Sequence, residues 1–203
     1  MQSIHHPLFA AVYELLSRWG GEWEKALRAE VVGAAWGRVL EVGAGTGLNF
    51  ACYDPSRVEF VEAVEPDPAM LRYARRRREE AAVPVRLHQA RVEELPFADE
   101  SFDSAVATLV FCSVEEPARG FAELRRLLKP TGSLLLLEHV RAASPCMAQL
   151  QDLLTPLARR CAGNCHWNRP TLTTLAGAGL RIVSRREVGG GLLPLVAVRA
   201  IRE

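Results

Sequence analysis

Two spacings of apolar residues alternate along the chain. Leu8, Val12, Leu15, Leu16 and Trp19 recur every three or four positions, which predicts one helical stripe over residues 7–19. Beyond them, apolar runs of strand length are separated by longer segments with helical spacing. The predicted strands cover 38–42, 58–64, 85–88, 103–109, 133–139, 181–188 and 194–201. The predicted helices cover 22–34, 47–53, 68–82, 117–128, 145–160 and 171–178.

Strands that alternate with helices predict an α/β fold with a doubly wound, mostly parallel sheet of seven strands. The segment Lys129-Pro130-Thr131-Gly132 is predicted to separate a helix from the fifth strand. Three glycines at 189–191 separate the last two strands, which can therefore pair antiparallel. With no internal repeat and no low-complexity linker, we expect one domain over 1–203. Residues 1–36 would form an N-terminal helical cap on a core of 37–203.

A glycine-rich stretch follows the first predicted strand. It reads LEVGAGTG from Leu40 to Gly47, with glycines at 43, 45 and 47. Glycines let the backbone turn sharply and let a ligand lie against the main chain. The second predicted strand is followed by Glu65, whose carboxylate can accept hydrogen bonds from both hydroxyls of a ribose. Together these features predict a nucleotide-type cofactor site at the carboxyl edge of the sheet.

The spacing of the glycines bears on which cofactor binds. A dinucleotide site is typified by G-x-G-x-x-G, which seats a pyrophosphate on a helix N-terminus. Here the spacing is G-x-G-x-G, and Glu41 precedes it. A carboxylate at that place would repel a diphosphate but suits the cationic methionine end of S-adenosylmethionine. In these features the chain resembles the class I S-adenosylmethionine-dependent methyltransferases, whose Rossmann-like fold agrees with the predicted sheet.

Further segments extend the resemblance over nearly the whole chain. LPFADESFD at 95–103 and KPTG at 129–132 are similar to segments of many small-molecule methyltransferases. TLVFCSV at 108–114, LEHV at 137–140 and GNCHWNR at 163–169 resemble bacterial relatives of the methyltransferase-like proteins that methylate alkyl thiols. Animal members of that group carry an N-terminal membrane anchor. This chain begins directly at a short helix, so the resemblance implies a relative with no stable anchor.

The resemblance also implies a set of cofactor-binding residues. The glycine loop would line the methionine and ribose portions, Glu65 would hold the ribose hydroxyls, and Val92 and Glu93 would contact the adenine edge. Where the class often has an aspartate that accepts from the adenine amino group, this chain has Arg91, so another acceptor must serve. The full predicted set is Tyr13, Glu41, Gly43, Ala44, Gly45, Gly47, Asn49, Glu65, Pro66, Val92, Glu93, Thr108 and Leu109.

One histidine is placed for acid–base chemistry. His139 follows Glu138 at the end of the fifth predicted strand, where it can take a proton from a thiol acceptor. A thiol has an unperturbed pKa of about 8.5, so a modest shift gives a useful amount of thiolate. The alternative is that His139 only caps the strand through hydrogen bonds to the backbone.

The acceptor pocket is predicted around Phe111, His166, Trp167 and Asn168, with 145–170 forming a lid. Trp19 or Trp23 could add to an apolar pocket, and any of these aromatic residues could instead be core. Arg169 could face the pocket or anchor the loop. His5 and His6 could reach the pocket mouth or belong to a frayed terminus.

The spacing of two cysteines and a histidine partly resembles a metal site but lacks one ligand. Cys161, Cys165 and His166 give a C-x3-C-H pattern, but a structural zinc needs four protein ligands and no fourth is apparent, so we expect no metal. Cys112 is expected to be a small core residue rather than a nucleophile. The five cysteines form no closely spaced framework, which indicates a reducing compartment.

Composition narrows the classes of partner. The 25 basic and 24 acidic residues give a net charge of +1, so no broad electrostatic attraction to nucleic acid or an anionic membrane is expected. No apolar run has the length of a membrane span and no signal peptide is evident, so we expect a cytoplasmic protein.

The sequence therefore predicts an S-adenosylmethionine-dependent methyltransferase with a small, largely apolar acceptor and S-adenosylhomocysteine as product. A thiol is the leading acceptor, on the resemblance. N-methylation of a phospholipid headgroup and C- or O-methylation of a quinone-like ring remain alternatives. A cofactor-binding regulatory protein without catalysis is the alternative of another class, because a fold does not fix a function.

Overall fold

The computed structural model of the protein describes residues 6–18 and 21–203. Seven strands form one sheet in the order β3-β2-β1-β4-β5-β7-β6, in which β7 alone runs antiparallel to its neighbours. The strands are β1 Gly37–Val42, β2 Val58–Val64, β3 Val85–His88, β4 Phe102–Thr108, β5 Leu128–His139, β6 Leu180–Val188 and β7 Leu195–Arg202. The predicted sheet is confirmed, including its antiparallel end.

Six α-helices accompany the sheet within the described residues. They are α1 Pro7–Arg18, α2 Glu22–Gly33, α3 Pro68–Glu79, α4 Pro117–Leu127, α5 Pro145–Cys161 and α6 Thr171–Gly177. The predictions for His5, Trp19 and Gly20 lie outside the described residues.

The core lies on both faces of the sheet, which explains the unbroken apolar runs of the central strands. Every residue of β4 is buried, and one cluster packs it through Phe102 against Phe121, Leu124 and Leu127 of α4. A second cluster on the other face joins α2 to β1 and β2. The strand order reverses between β1 and β4, so the carboxyl ends of these strands border a crevice.

Two local predictions are wrong. The helix predicted over 47–53 is only a short 3-10 helix, Phe50–Cys52, because Tyr53 adopts extended backbone angles just before Asp54-Pro55. The break predicted at Lys129–Gly132 lies inside β5, which already begins at Leu128. The pairing with β4 is irregular there: Phe102 pairs with Leu128, whereas Ser104 pairs with Ser133. Helix α3 also ends at Glu79, earlier than expected.

None of the helices in the described part of the chain is long and apolar enough to cross a bilayer.

Candidate functional site

The glycine loop after β1 has the backbone that its sequence predicts. Gly43, Gly45 and Gly47 all have positive φ, at 64°, 56° and 84°. A Cβ on Gly43 would clash with Cγ2 of Val110, so the loop after β4 packs directly on this glycine. The Ala44 amide donates to the Val64 carbonyl at 3.0 Å, which ties the loop to the end of β2. The loop is thus fixed where β1, β2 and β4 end.

The Glu65 carboxylate is held by backbone donors. Its oxygens accept from the amides of Gly45 and Asp67, both at 2.9 Å. Burial raises the pKa of Glu65 to about 7, although these two hydrogen bonds act in the opposite direction. The side chain therefore lies between the glycine loop and the start of α3, at the edge of a cavity.

That cavity has a volume of about 960 Å³ and opens at the carboxyl ends of the strands. Gly43, Ala44, Gly45 and Asn49 line one side, and Glu65, Pro66, Val92 and Glu93 line another. Thr108 and Leu109 line the part below β4, and Tyr13 reaches it from α1. Leu109 has a positive φ of 57°, and strain of this kind is concentrated at functional sites. The structure therefore brings most of the predicted cofactor residues to one cavity.

A polar network lies beside the glycine loop. Asn49 Nδ2 donates to Glu41 at 3.0 Å and to the Thr108 hydroxyl at 2.9 Å. The Tyr53 hydroxyl donates to the other Glu41 oxygen at 2.6 Å. Burial raises the pKa of Glu41 to about 7 despite these donors. Glu41 is fully buried and is not among the described residues that line the cavity, so it can act there only through Asn49.

Arg28 joins this network and was not predicted. Only 6% exposed, it lines the cavity, and its guanidinium donates to Asn49 Oδ1, Thr108 Oγ1 and the Tyr13 hydroxyl at 3.3, 3.0 and 3.4 Å. It also pairs with Glu24 at 3.0 Å. From the sequence, Glu24 and Arg28 at i and i+4 look like a surface pair on a helix, and no local signal marks the arginine as buried.

Arg91, the departure from the family pattern, lines the cavity and is paired with carboxylates. It contacts Glu115 at 2.6 Å and Glu93 at 3.5 Å. The two carboxylates compensate the positive charge at this wall. Gly47, by contrast, does not line the cavity among the described residues; a Cβ there would meet the Phe50 ring at 2.6 Å. Its role is packing of the loop.

His139 lines the cavity at the end of β5. Its backbone amide donates to Glu138 Oε1, and its ring Nδ1 is buried with no hydrogen-bond partner in the described structure. Burial lowers the pKa of His139, partly offset by Glu24. The ring is therefore neutral at pH 7 and can accept a proton. Among the described residues, no hydrogen bond of the His139 side chain supports the strand-capping alternative.

Glu138 fixes the loop that faces His139. Fully buried, it accepts from the amides of Val110 and Phe111 at 2.9 and 2.6 Å through Oε2. Burial raises the pKa of Glu138 to about 7, against the effect of these hydrogen bonds. The carboxylate thereby connects the end of β5 to the loop after β4.

Of the four residues predicted for the acceptor pocket, the structure brings one to the cavity. Trp167 lines the cavity, but Phe111 is fully buried and stacks on Phe121 with a centroid distance of 3.7 Å, so it is a core residue. His166 and Asn168 are absent from the described lining. The His166 amide donates to the Cys112 carbonyl, and the Asn168 side chain donates to Asp152, both at 2.8 Å. These two contacts anchor the loop.

The other residues considered for the acceptor pocket have different positions in the structure. His6 lines the cavity, whereas Trp23 is exposed and is not in the described lining. Arg169 donates to the carbonyls of Phe111 and Val114 at 2.6 and 2.5 Å, which anchors the segment after α5 on the loop after β4.

Three cysteines line the cavity: Cys112, Cys161 and Cys165. A hydrogen bond with Cys165 and burial raise the pKa of the Cys112 thiol, so this thiol stays protonated at neutral pH. All five cysteines are free thiols. The described part of the chain contains no group of three or more His, Cys, Asp or Glu side chains that could hold a metal ion.

The site fits the cofactor predicted from the glycine loop. Its volume is within the range of ligand pockets. The buried hydroxyl of Thr46 lines it without a hydrogen-bond partner in the described structure, and so does Nδ1 of His139. Glu65, Arg28 and these two atoms offer an acceptor, a cation and unused polar groups. S-adenosylmethionine, an adenosine that carries an amino acid, needs a hydrogen-bond acceptor, a cation and polar groups of this kind.

The family model of the methyltransferase domain matches residues 40–136. A phosphatidylethanolamine N-methyltransferase of Cereibacter sphaeroides is 36% identical over 146 residues, covering 71% of this chain and 71% of that protein. A solved structure of geranyl diphosphate C-methyltransferase from Streptomyces coelicolor A3(2), holding S-adenosyl-L-homocysteine, superposes with a TM-score of 0.71 at 17% identity, over 89% of this chain and 80% of that one. The chain belongs to the S-adenosylmethionine-dependent methyltransferases, whose cofactor is S-adenosylmethionine.

Other relatives act on different acceptors. The thiol S-methyltransferase TMT1B of Rattus norvegicus is 34% identical over 139 residues, covering 66% of this chain and 55% of that protein. The demethylmenaquinone methyltransferase of Deinococcus radiodurans is 36% identical over 124 residues, covering 60% and 51%. The match thus spans about half the length of these two relatives.

Proposed function

We propose that the protein is an active methyltransferase that transfers a methyl group from S-adenosylmethionine to a small, largely apolar acceptor, with a thiol as the leading acceptor. The observation that carries the proposal is the single cavity in which the glycine loop, Glu65 and an unpartnered His139 Nδ1 meet. The similarity to a thiol S-methyltransferase supports the choice of acceptor.

In this proposal the chain holds the cofactor at three places. Glu65 accepts hydrogen bonds from the ribose hydroxyls, since it already accepts from two backbone donors beside the glycine loop. Arg28 binds the carboxylate of the methionine portion, because it is the buried guanidinium beside Asn49 and Thr108. Val92 and Glu93 contact the adenine, with Pro66 packed against it.

Bound S-adenosylmethionine supplies a methyl group already activated on a sulfonium. The protein's part is then to align the acceptor with that group and to exclude water. His139 Nδ1, neutral and with no hydrogen-bond partner among the residues that the structure describes, takes the proton from a thiol acceptor. Val110, Cys112, Cys165 and Trp167 line the wall near His139 and favour an apolar acceptor.

A phospholipid headgroup is the second candidate acceptor. Exposed leucines on α1, close to the cavity, and the similarity to a phosphatidylethanolamine N-methyltransferase favour it. A quinone-like ring has the support of one relative. In the regulatory alternative the protein binds the cofactor without turnover. The cytoplasmic location proposed with this function agrees with five free cysteines.

A methyl-transfer screen tests the proposal. Purified protein is incubated with S-adenosylmethionine and with thiol, amine, phenol and lipid acceptors, and S-adenosylhomocysteine is measured. We expect turnover on alkyl thiols. Turnover on the lipid or phenol alone would replace the thiol by that acceptor. Cofactor binding with no turnover on any acceptor would support the regulatory alternative.

A further inference from the structure

Among its described side chains, helix α1 exposes several apolar residues and buries the charged residue Glu14. Leu8, Leu15 and Leu16 are 78%, 58% and 63% exposed. Every exposed position from Pro7 to Ser17 carries an apolar side chain. Glu14 is turned inward and pairs with Arg77 at 2.8 Å. A surface helix of a water-soluble domain normally has the opposite arrangement, so this face is suited to an apolar partner.

Helix α5 carries a second exposed apolar stripe. Leu153 and Leu157 are 73% and 62% exposed, and Leu150 lies one turn before them on the same side. The exposed large hydrophobic residues among the described ones are Leu8, Val12, Leu15, Leu16, Trp23, Leu150, Leu153, Leu157 and Val183. Only Trp23, on α2, and Val183, on the edge strand β6, lie outside the two helices.

The two helices that carry these stripes adjoin at the cavity. A Cβ on Gly163, just after α5, would lie 2.7 Å from the Phe9 ring of α1, so the helices adjoin there. Val12 and Leu16 of α1 and Cys161 at the end of α5 all line the cavity. Both helices thus border the cavity, and their exposed side chains Leu8, Val12, Leu15, Leu16, Leu153 and Leu157 are together called the apolar face.

Cationic side chains border this apolar face. Arg159 and Arg160 are exposed in the last turn of α5, and with Pro156 and Asn164 they line a groove of about 300 Å³. Both arginines also line the main cavity. Arg159 Nε donates to Asn164 Oδ1 at 3.3 Å, and Arg160 forms no ion pair with any described residue. The groove thus offers guanidinium groups to an anion at the edge of the apolar face.

We propose that the apolar face docks on a lipid bilayer surface that contains anionic phospholipid, with the arginine groove facing the phosphates. Apolar side chains that enter the headgroup boundary together with cations beside them are the combination that interfacial helices use. A second copy fits less well. In a two-fold dimer the same patch meets itself, so Arg159 and Arg160 of both copies would be gathered at the border of one apolar interface. The cavity opening within the face would also be covered in such a dimer, whereas a bilayer leaves it facing apolar molecules.

Vesicle co-sedimentation tests docking without any need for methyl transfer. The full chain is mixed with vesicles of phosphatidylcholine alone and with vesicles of equal parts phosphatidylcholine and phosphatidylglycerol. We expect binding to the mixed vesicles. The double variant Leu15→Gln, Leu153→Gln should bind them about tenfold more weakly or worse, because two apolar contacts with the bilayer are lost. Val183→Gln, at another exposed apolar residue that lies on β6 outside the two helices, should bind like the wild type.

The arginines are tested separately. Arg160→Gln should weaken binding to the mixed vesicles about fivefold and leave binding to phosphatidylcholine unchanged. Arg119→Gln, at an exposed arginine of α4 away from the apolar face, is the control. Cofactor binding, checked in each variant, shows that the fold is kept and separates failure of docking from failure of the proposed function. The proposal would be overturned if the wild-type protein bound neither kind of vesicle, or if the double variant bound the mixed vesicles as well as the wild type. A dimer in light scattering that the double variant dissociates would also overturn it, since a second copy would then cover the face.

Discussion

Glu65 combines a buried carboxyl with two backbone donors, and these have opposite effects on its charge. Burial raises its pKa to about 7, whereas the amides of Gly45 and Asp67 favour the ionised form. A group kept near neutrality by burial gains most when further donors arrive. Two ribose hydroxyls would be such donors.

Replacing this carboxyl should therefore weaken cofactor binding. Glu65→Ala is expected to reduce the affinity for S-adenosylhomocysteine by about 1–3 kcal/mol, the range for losing charged hydrogen bonds. Glu62→Ala is the control, because Glu62 is also buried on β2 but pairs with Arg86 and His88. Calorimetry measures both. Equal affinities in the two variants would remove Glu65 from the site.

Replacing His139 should reduce turnover without changing cofactor binding. His139→Ala should keep its affinity for S-adenosylhomocysteine and lose at least about tenfold in turnover of a thiol, because the group that accepts the proton is gone. His166→Ala is the matched control, since the His166 side chain is outside the described lining of the cavity. Steady-state rates of thiol methylation, measured together with the affinity for S-adenosylhomocysteine, test this prediction. Unchanged turnover in His139→Ala would exclude it as the base.

At the scale of elements, Gln151 connects α5 to the sheet. It is fully buried, accepts from the Ala142 amide at 2.9 Å, and donates to the carbonyls of Val140 and Leu192 at 3.2 and 2.9 Å. Three backbone groups from two loops thus depend on one side chain. The position of α5 over the end of β5 follows from these contacts.

Gln151→Ala should lower the free energy of unfolding by about 1–3 kcal/mol, because it strands buried backbone groups. Gln149→Ala, on the exposed side of the same helix, should change it by less than about 0.5 kcal/mol. Urea denaturation of both variants gives the comparison. A Gln151 variant as stable as the Gln149 variant would show that α5 is held by other contacts.

The sequence predicted best those elements whose pattern of apolar residues fits only one kind of secondary structure. The runs at 58–64 and 85–88 are strands with the predicted bounds. The stripe on α1 was predicted as a helix, but the spacing does not say which side faces water, and its leucines are exposed. The prediction of a helix over 47–53 was wrong because the backbone becomes extended at Tyr53.

The candidate site shows the same division. The structure brings Gly43, Gly45 and Glu65 to the cavity, and a local motif in the sequence was enough to single them out. Arg28 was not predicted, because its burial depends on α2 packing over the ends of β1 and β4. Phe111 was misassigned to the pocket because sequence alone cannot show that its ring turns to Phe121.

At the scale of the whole molecule, three buried carboxyls make stability depend on pH. Burial raises the pKa of Glu41, Glu65 and Glu138 to about 7 in the folded protein. The folded state therefore binds more protons than the unfolded chain. The stability that these groups contribute is full below about pH 4.5 and is lost as the pH rises through about 7.

We expect the free energy of unfolding to be about 1–2 kcal/mol lower at about pH 8 than at about pH 6.5, a window above the lowered pKa values of His139 and His166. Urea denaturation at the two pH values measures it. Glu138→Gln should reduce the difference, whereas Glu115→Gln, at an exposed residue, should not. Stability that stays constant or rises across this window would contradict the charge states assigned to the site.

The central claim is that the cavity above the glycine loop binds the methyl donor. Titration calorimetry of the full chain with S-adenosylhomocysteine tests it most directly. We predict one binding site with a dissociation constant in the micromolar range, which corresponds to about −8 kcal/mol. No heat, and no shift in the melting temperature at millimolar ligand, would contradict the assignment of this cavity and the function proposed from it.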